Sequence, residues 1–283
     1  MEKKIEKKNV IIVIPTYNEA ENIENLIVKI YSLPIDPSVL ILDDNSLDGT
    51  SSIIKKLQVH YPKLYLIDRE RKLGLASALK EGFQFALEKG YDVIIQMDGD
   101  LSHSPGSILE MIDLLSQHDL VIGSRYVENG GALSWGLGRV LMSRLGNIYA
   151  KTLLQIPIND LTSGFKCMRR EVLESFNFDS LSSKGYSFQI EVTFFSFLKG
   201  FKIREHPIIF KGRMDGKSKM SSGIALEAFG KVILLSFLQA LFFHEGFCGI
   251  NSKTRSSLRK SFGMKNGWAR GIEPPTPRST IIL

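Results

Sequence analysis

The chain predicts an α/β fold with a mostly parallel central sheet and helices on both faces. Three observations point there. Apolar runs of strand length alternate with helix-spaced apolar patterns from Val10 to Gly123. Three of those runs end in polar or acidic turns, and the C-terminal edge of such a sheet is where ligands bind. Length (283 residues), apolar content (43%) and charge (23%) are those of an ordinary globular chain.

The elements follow in order. Residues 10–14 form a short apolar strand stopped by Pro15. Thr16 or Asn18 can cap the next helix, marked by Ile23, Leu26, Ile27, Ile30 and Tyr31 and ended by Pro34 and Pro37. Residues 39–42 are a second strand closing on Asp43-Asp44, and Asp48-Gly49 turns the chain into a helix marked by Ile53, Ile54 and Leu57. Residues 64–67 are a third strand. Leu75, Ala78, Leu79, Gly82, Phe83, Ala86 and Leu87 define a longer amphipathic helix. A fourth strand runs through Ile94-Ile95-Gln96-Met97 into Asp98-Gly99-Asp100. Pro105 suits a first helical residue, and Ile108, Met111, Ile112 and Leu115 continue that helix before a fifth strand at 120–122.

After Gly123 the rhythm changes. Gly130, Gly131, Gly136 and Gly138 predict a mobile loop. A helix over about 139–154 follows, with Val140, Leu141, Leu145, Ile148 and Leu153 on its apolar side. A second, strongly apolar helix lies in 223–247, centred on 232–243; it falls short of the ~20 residues that span a bilayer. A core helix and an interfacial helix both fit it. Beyond Phe247 the Ser-, Lys-, Arg-, Gly- and Pro-rich composition, with Pro274-Pro275-Thr276-Pro277, predicts disorder. The expected divisions are a basic N-terminal tail (1–8), a catalytic domain (9–222), the apolar helix (223–247) and a basic tail (248–283).

Charge and cysteine usage exclude several classes. The tail carries seven Lys/Arg and one acid, which is the whole net charge of +6, so the folded part is formally neutral. The basic balance is therefore no argument for nucleic-acid binding. Cys167 and Cys248 and the five histidines show no metal-ligand spacing and suggest a reducing compartment. The apolar run after the basic N-terminus is too short for a signal-peptide core, so a cytoplasmic protein is expected. No Gly-x-Gly-x-x-Gly follows the first strand, which disfavours a dinucleotide oxidoreductase.

Two carboxylates one residue apart at a strand end can both face one hard cation, and Mg²⁺ usually takes one or two protein carboxylates plus substrate phosphates. Asp98 and Asp100 are on that ground a candidate metal–diphosphate site; a plain acidic turn is the bland alternative. Further motifs stand in order around them: Pro15-Thr16-Tyr17-Asn18-Glu19, Leu42-Asp43-Asp44-Asn45-Ser46-Leu47-Asp48-Gly49-Thr50, Gly123-Ser124-Arg125-Tyr126, Asp160-Leu161-Thr162-Ser163-Gly164-Phe165, Gly185-Tyr186-Ser187-Phe188-Gln189-Ile190-Glu191 and Arg213-Met214-Asp215-Gly216-Lys217-Ser218-Lys219-Met220. From about residue 9 to 222 this set resembles glycosyltransferase family 2, and within it the dolichyl- and polyprenyl-phosphate mannosyltransferases.

The resemblance implies a GT-A nucleotide-sugar fold and a GDP-mannose donor. It places Pro15, Tyr17, Glu19 and Asp43 by the base and ribose; a carboxylate, as an acceptor-only group, suits that contact. It places Mg²⁺ or Mn²⁺ on Asp98 and Asp100, with Gln189 as a further oxygen; an ordinary hydrogen bond is the alternative for Gln189. It assigns Arg213 and Lys219 to the phosphate of a dolichyl or polyprenyl phosphate acceptor, with Arg125 and Arg139 as further candidates. That phosphate, with a second pKa of ~6, is already mostly dianionic at pH 7 and needs no protein base. His103 accordingly reads as a helix N-terminal polar residue. The acceptor implies a membrane surface, reached through the apolar helix with the helix from Arg139, or through a membrane partner subunit. Other donors such as UDP-glucose, other acceptors, and a catalytically silent nucleotide-sugar-binding partner subunit remain open.

Overall fold

The structure, a computed structural model, describes residues 9–181, 183, 185, 187–212 and 222–243. Arg213, Lys219, Tyr186, the N-terminal tail and the tail beyond 243 lie outside the described residues. The strands are β1 (Val10–Thr16), β2 (Ser38–Asp43), β3 (Leu64–Asp68), β4 (Val93–Gln96), β5 (Leu120–Ser124), β6 (Gly131–Leu133), β7 (Lys166–Arg169), β8 (Ile203–Pro207) and β9 (Ile209–Lys211). The helices are α1 (Ile23–Tyr31), α2 (Thr50–Leu57), α3 (Leu75–Glu88), α4 (Ser107–Leu114), α5 (Leu137–Leu154), α6 (Arg170–Glu174), α7 (Ser187–Leu198) and α8 (Ser222–Phe243).

Among the described residues the main sheet has seven strands in the order β3-β2-β1-β4-β7-β5-β8. All pairings are parallel except those of β7, which inserts antiparallel between β4 and β5. Sequence patterning finds the five parallel strands up to Gly123. It misses β7, because Lys166-Cys167-Met168-Arg169 is short and half polar.

Residues alternate between the two faces of the sheet, and both faces are covered. Ile12, Ile14, Val39, Ile41, Val93 and Ile95 pack under α1, α2 and α4. Ile11, Val13, Leu40, Leu42, Ile94 and Ile122 pack under α3, α6, α7 and parts of α5 and α8. Strands buried on both faces read as continuous Val/Ile/Leu runs, and each such side chain contributes about 1.5–3 kcal/mol by burial. Gly82 of α3 is required by this packing, since a Cβ there would stand 2.5 Å from Val13 Cγ1.

Two expectations after Gly123 are corrected. The glycine-rich segment expected as a loop contains β6, paired in parallel with β9. The apolar side of α5 is not its packing face: Leu141, Leu145 and Ile148 are more than half exposed, while Asn147, Ala150 and Leu154 are buried. The helix meets the body through Asn147, Ala150 and Leu154, so Leu141 and Leu145 are left outward. Helix α8 lies against α5, with Tyr149 and Phe229 stacked at 4.3 Å, and against α7 through Lys231 Nζ to Glu191 Oε1 at 2.9 Å. Among the described residues no helix is long and apolar enough to cross a membrane.

Candidate active site

The C-terminal ends of β1, β2 and β4 converge on one edge. Each is followed by a non-glycine residue in the left-handed region: Asn18 (φ 53°), Asn45 (φ 62°) and Leu101 (φ 59°). Asparagine tolerates this region; leucine does so at a cost of about 1 kcal/mol or more. The first two loops are laced together. Asn18 N–H donates to Ser46 Oγ at 2.8 Å, and Leu47 N–H donates to Asn18 Oδ1 at 3.0 Å.

In the loop after β1, Pro15 and Tyr17 are half-buried, and Lys72 Nζ sits 3.5 Å from the Tyr17 ring centroid. Glu19 is buried, and its carbonyl accepts from Ile23 N–H at 2.9 Å to start α1. Asp43 is fully buried, and its carboxylate lies within hydrogen-bond distance of Thr16 Oγ1 (2.8 Å), Ser46 Oγ (2.7 Å), Ser46 N–H (2.9 Å) and Ser51 Oγ (2.9 Å), the last shared with Asp68 Oδ1. In this arrangement Asp43 positions the loop after β2. Asp44 does the same for the segment after β3, accepting from Arg69 Nη1, Leu73 N–H and Gly74 N–H.

Asp98 and Asp100 stand on a turn made possible by two glycines. A Cβ at Gly99 would lie 3.0 Å from Thr16 Cγ2, and one at Gly164 would lie 3.0 Å from Asp98 Oδ1. Leu101, in the left-handed region, folds the chain back, and Ser102 N–H donates to Asp100 Oδ1 at 3.1 Å. The Ser102 hydroxyl is buried and has no hydrogen-bond partner. Such orphaned groups call for an explanation, and two carboxylates plus a hydroxyl oxygen suit Mg²⁺ or Mn²⁺. The residues present therefore fit a divalent cation. Among the described residues no group of three or more His, Cys, Asp and Glu is placed to hold one.

Gln189 makes the ordinary hydrogen bond that is the alternative to its ligand role. It is 1% exposed, and its carbonyl oxygen accepts from Lys166 Nζ at 2.7 Å. Lys166 itself is fully buried, bonded also to the Ser163 carbonyl, and burial brings its pKa down to about 7 against the opposing pull of Asp160 and Asp98. Sequence reasoning missed both Ser102 and Lys166. The first looks like a loop serine, and only strand register places the second beside Gln96.

His103 accepts from Asp98 N–H at Nδ1 (3.3 Å) and stacks on Phe165 at 4.9 Å. Burial lowers its pKa and outweighs the neighbouring aspartates. The ring is thus neutral with its proton on Nε2, a packing and turn-forming group rather than a base.

Two places further along the sheet from β4, β5 leads into Arg125. Arg125, 7% exposed, gives Nε and Nη2 to Asp160 at 2.7 Å each, and Nη2 also reaches Thr162 Oγ1 at 2.8 Å. Burial opposes both charges; their mutual attraction wins, raising the Arg125 pKa and holding the Asp160 carboxyl below its ordinary range. Asp160 thereby orients the guanidinium and, among the described residues, leaves Nη1 without a hydrogen bond. Glu205 in turn fixes Asp160, accepting from its N–H at 2.9 Å. Arg139 is exposed at the start of α5, its guanidinium 4.2 Å from the Trp135 ring centroid. The two acidic and basic halves are joined by rings: His103 meets Phe210 at 5.4 Å, and Phe210 meets Trp135 at 5.2 Å.

The sequence profile of Glycosyl transferase family 2 matches residues 11–176. The chain belongs to glycosyltransferase family 2. This glycosyltransferase is 38% identical over 224 residues to a polyprenol monophosphomannose synthase of Mycolicibacterium smegmatis, covering 78% of this chain and 84% of that one. It is 37% identical over 219 residues to an undecaprenyl-phosphate mannosyltransferase of Micrococcus luteus, covering 77% and 90%. Among solved structures it is similar to a glucosyl-3-phosphoglycerate synthase of Mycobacterium tuberculosis with Mn²⁺, UDP-glucose and phosphoglyceric acid (TM-score 0.59, 18% identity, 81% and 80% covered). It is also similar to a mannosyltransferase of Pyrobaculum calidifontis with GDP-mannose and Mn²⁺ (TM-score 0.52, 16% identity, 91% and 80% covered). At these identities the two structures show the fold, and the glycosyltransferase has the expected GT-A arrangement.

Proposed function

We propose that the enzyme transfers mannose from GDP-mannose to the phosphate of a membrane polyprenyl or dolichyl phosphate, with inversion. The observation that carries the reading is the juxtaposition, on one sheet edge, of the Asp98–Asp100–Ser102 oxygens with Arg125, whose Nη1 is left over by Asp160. One part suits the cation of a nucleoside diphosphate and the other suits an anionic acceptor. The printed activities of the two relatives at 37–38% identity support the same pairing.

Tyr17 and Pro15 border the nucleoside. Asp98, Asp100 and Ser102 would hold the divalent cation. When bound, it offsets the charge gathering on the departing diphosphate. Arg125 and Arg139 would orient the acceptor phosphate, with Arg213 and Lys219 proposed alongside on their sequence pattern; Arg offers a planar fork for phosphate oxygens. The phosphate is its own nucleophile, so a single in-line displacement at the anomeric carbon needs positioning and no protein base. Neutral, buried His103 agrees with that.

The exposed leucines of α5 and the exposed Phe229, Ile233, Leu234 and Phe237 of α8 form an apolar surface on the packed pair, of the kind that marks interaction sites. With Arg139 and Arg144 beside it, we assign that surface to the cytoplasmic face of a membrane, unless a membrane partner subunit supplies the attachment. The deciding experiment supplies GDP-mannose or UDP-glucose, Mg²⁺ or Mn²⁺, and a short polyprenyl phosphate, and scores lipid-linked sugar. Lipid-linked mannose with GDP release is expected; UDP release only, or donor binding without turnover, overturns the reading.

A further inference from the structure

We propose that the indole N–H of Trp135 is a donor to the acceptor phosphate, a third protein contact between Arg125 and Arg139. This rests on the acceptor reading above. Trp135 lies between β6 and α5, and its Nε1 is buried with no hydrogen-bond partner among the described residues. Indole nitrogen only donates, and a buried donor is normally paired.

The surroundings say what could pair it. The Arg139 and Arg125 guanidinium carbons lie 4.2 and 5.3 Å from the ring centroid, within cation–π range. Phe210 meets the ring at its edge, 5.2 Å away. Gly212 passes so close that a Cβ there would stand 3.1 Å from Trp135 Cδ1, the atom bonded to Nε1. Gly212 N–H is itself taken by the Leu133 carbonyl at 3.0 Å. The ring is thus held in a slot, and its charged neighbours are cations that cannot accept a hydrogen bond.

An oxygen brought in from outside can serve as the acceptor at that position, and two adjacent guanidiniums favour an anion. A phosphate monoester carries three acceptor oxygens and up to two charges, enough for the indole and both arginines at once. Trp135 moves no proton and forms no bond. It fixes one oxygen, which leaves another to face the sugar.

The chain has two tryptophans, Trp135 and Trp268, so Trp268→Phe leaves Trp135 as the sole indole reporter. In that variant, a short polyprenyl phosphate in detergent should shift the indole emission saturably, and the matching polyprenol should not. Trp135→Phe keeps a ring for the cations and removes only the N–H. It should raise the acceptor KM about tenfold or more, as loss of a charge-assisted hydrogen bond does, with donor KM and kcat within about twofold. An emission response shared equally by polyprenol, or an unchanged acceptor KM in Trp135→Phe, overturns the proposal. If the wild-type chain transfers no mannose yet the phosphate-specific emission shift is seen, the contact stands and the transfer reading falls.

Discussion

Replacing Lys166 with methionine should change how stability depends on pH. The side chain is fully buried at the junction of β4, β5 and β7, and burial brings its pKa from about 10.4 in the unfolded chain to about 7. Between those values the unfolded chain binds the proton more readily. Stability therefore rises with pH across the window, and the cost of burying the ammonium is felt in full below pH 7. From pH 6.5 to 9.0 the wild-type chain should gain about 2–3 kcal/mol from this group alone. Methionine has similar length and no charge, so its variant lacks that gain. Urea unfolding of both proteins at the two pH values, in EDTA so that no metal contributes, gives the difference directly. The wild-type minus variant stability should move upward by that amount. Parallel pH dependences, within about 0.5 kcal/mol, would refute the argument that burial depresses the Lys166 pKa.

Three further outcomes are expected. Asp100→Asn should lower mannosyl transfer at least about hundredfold, on the scale of losing transition-state charge stabilisation, with the thermal midpoint nearly unchanged; near wild-type turnover contradicts the metal role. Ser102→Ala and Gly164→Ala should each raise the Mn²⁺ or Mg²⁺ concentration needed for half activity about tenfold, on the scale of losing an outer-sphere or supporting contact, the second because its Cβ would meet Asp98 Oδ1 at 3.0 Å. An unchanged metal requirement in both counts against the proposed ligand set. Leu141→Glu with Leu145→Glu should leave stability within about 1 kcal/mol, since both side chains are more than half exposed, yet weaken sedimentation with anionic liposomes at least tenfold. Equal sedimentation removes α5 from the membrane surface.

The parallel half of the sheet was legible because its strands are continuous apolar runs ending in Pro15, Asp43 and Asp98, a pattern that burial on both faces imposes. The acidic turn was legible for the same reason. What escaped depends on contacts that carry no periodic signal. The contacts of Asp43 with Thr16, Ser46 and Ser51, which hold the loop, give no sign in the sequence. Nor does the hydrogen bond of Lys166 to Gln189. The leucines of α5 have core spacing, and nothing in spacing tells a helix face that meets protein from one left outward.

Strand β7 also has a consequence for how the chain is made. Its antiparallel insertion gives β4 its second neighbour only when residues 166–169 arrive, 69 residues after Gln96 (residues 97–165). At translation rates of roughly 5–20 residues per second, the nascent chain spends about 3–14 s with Val93-Ile94-Ile95-Gln96 as a bare, apolar sheet edge, an open template for pairing with another chain. The same strand that later joins β4 to β5 thus closes the interval in synthesis when this edge is open.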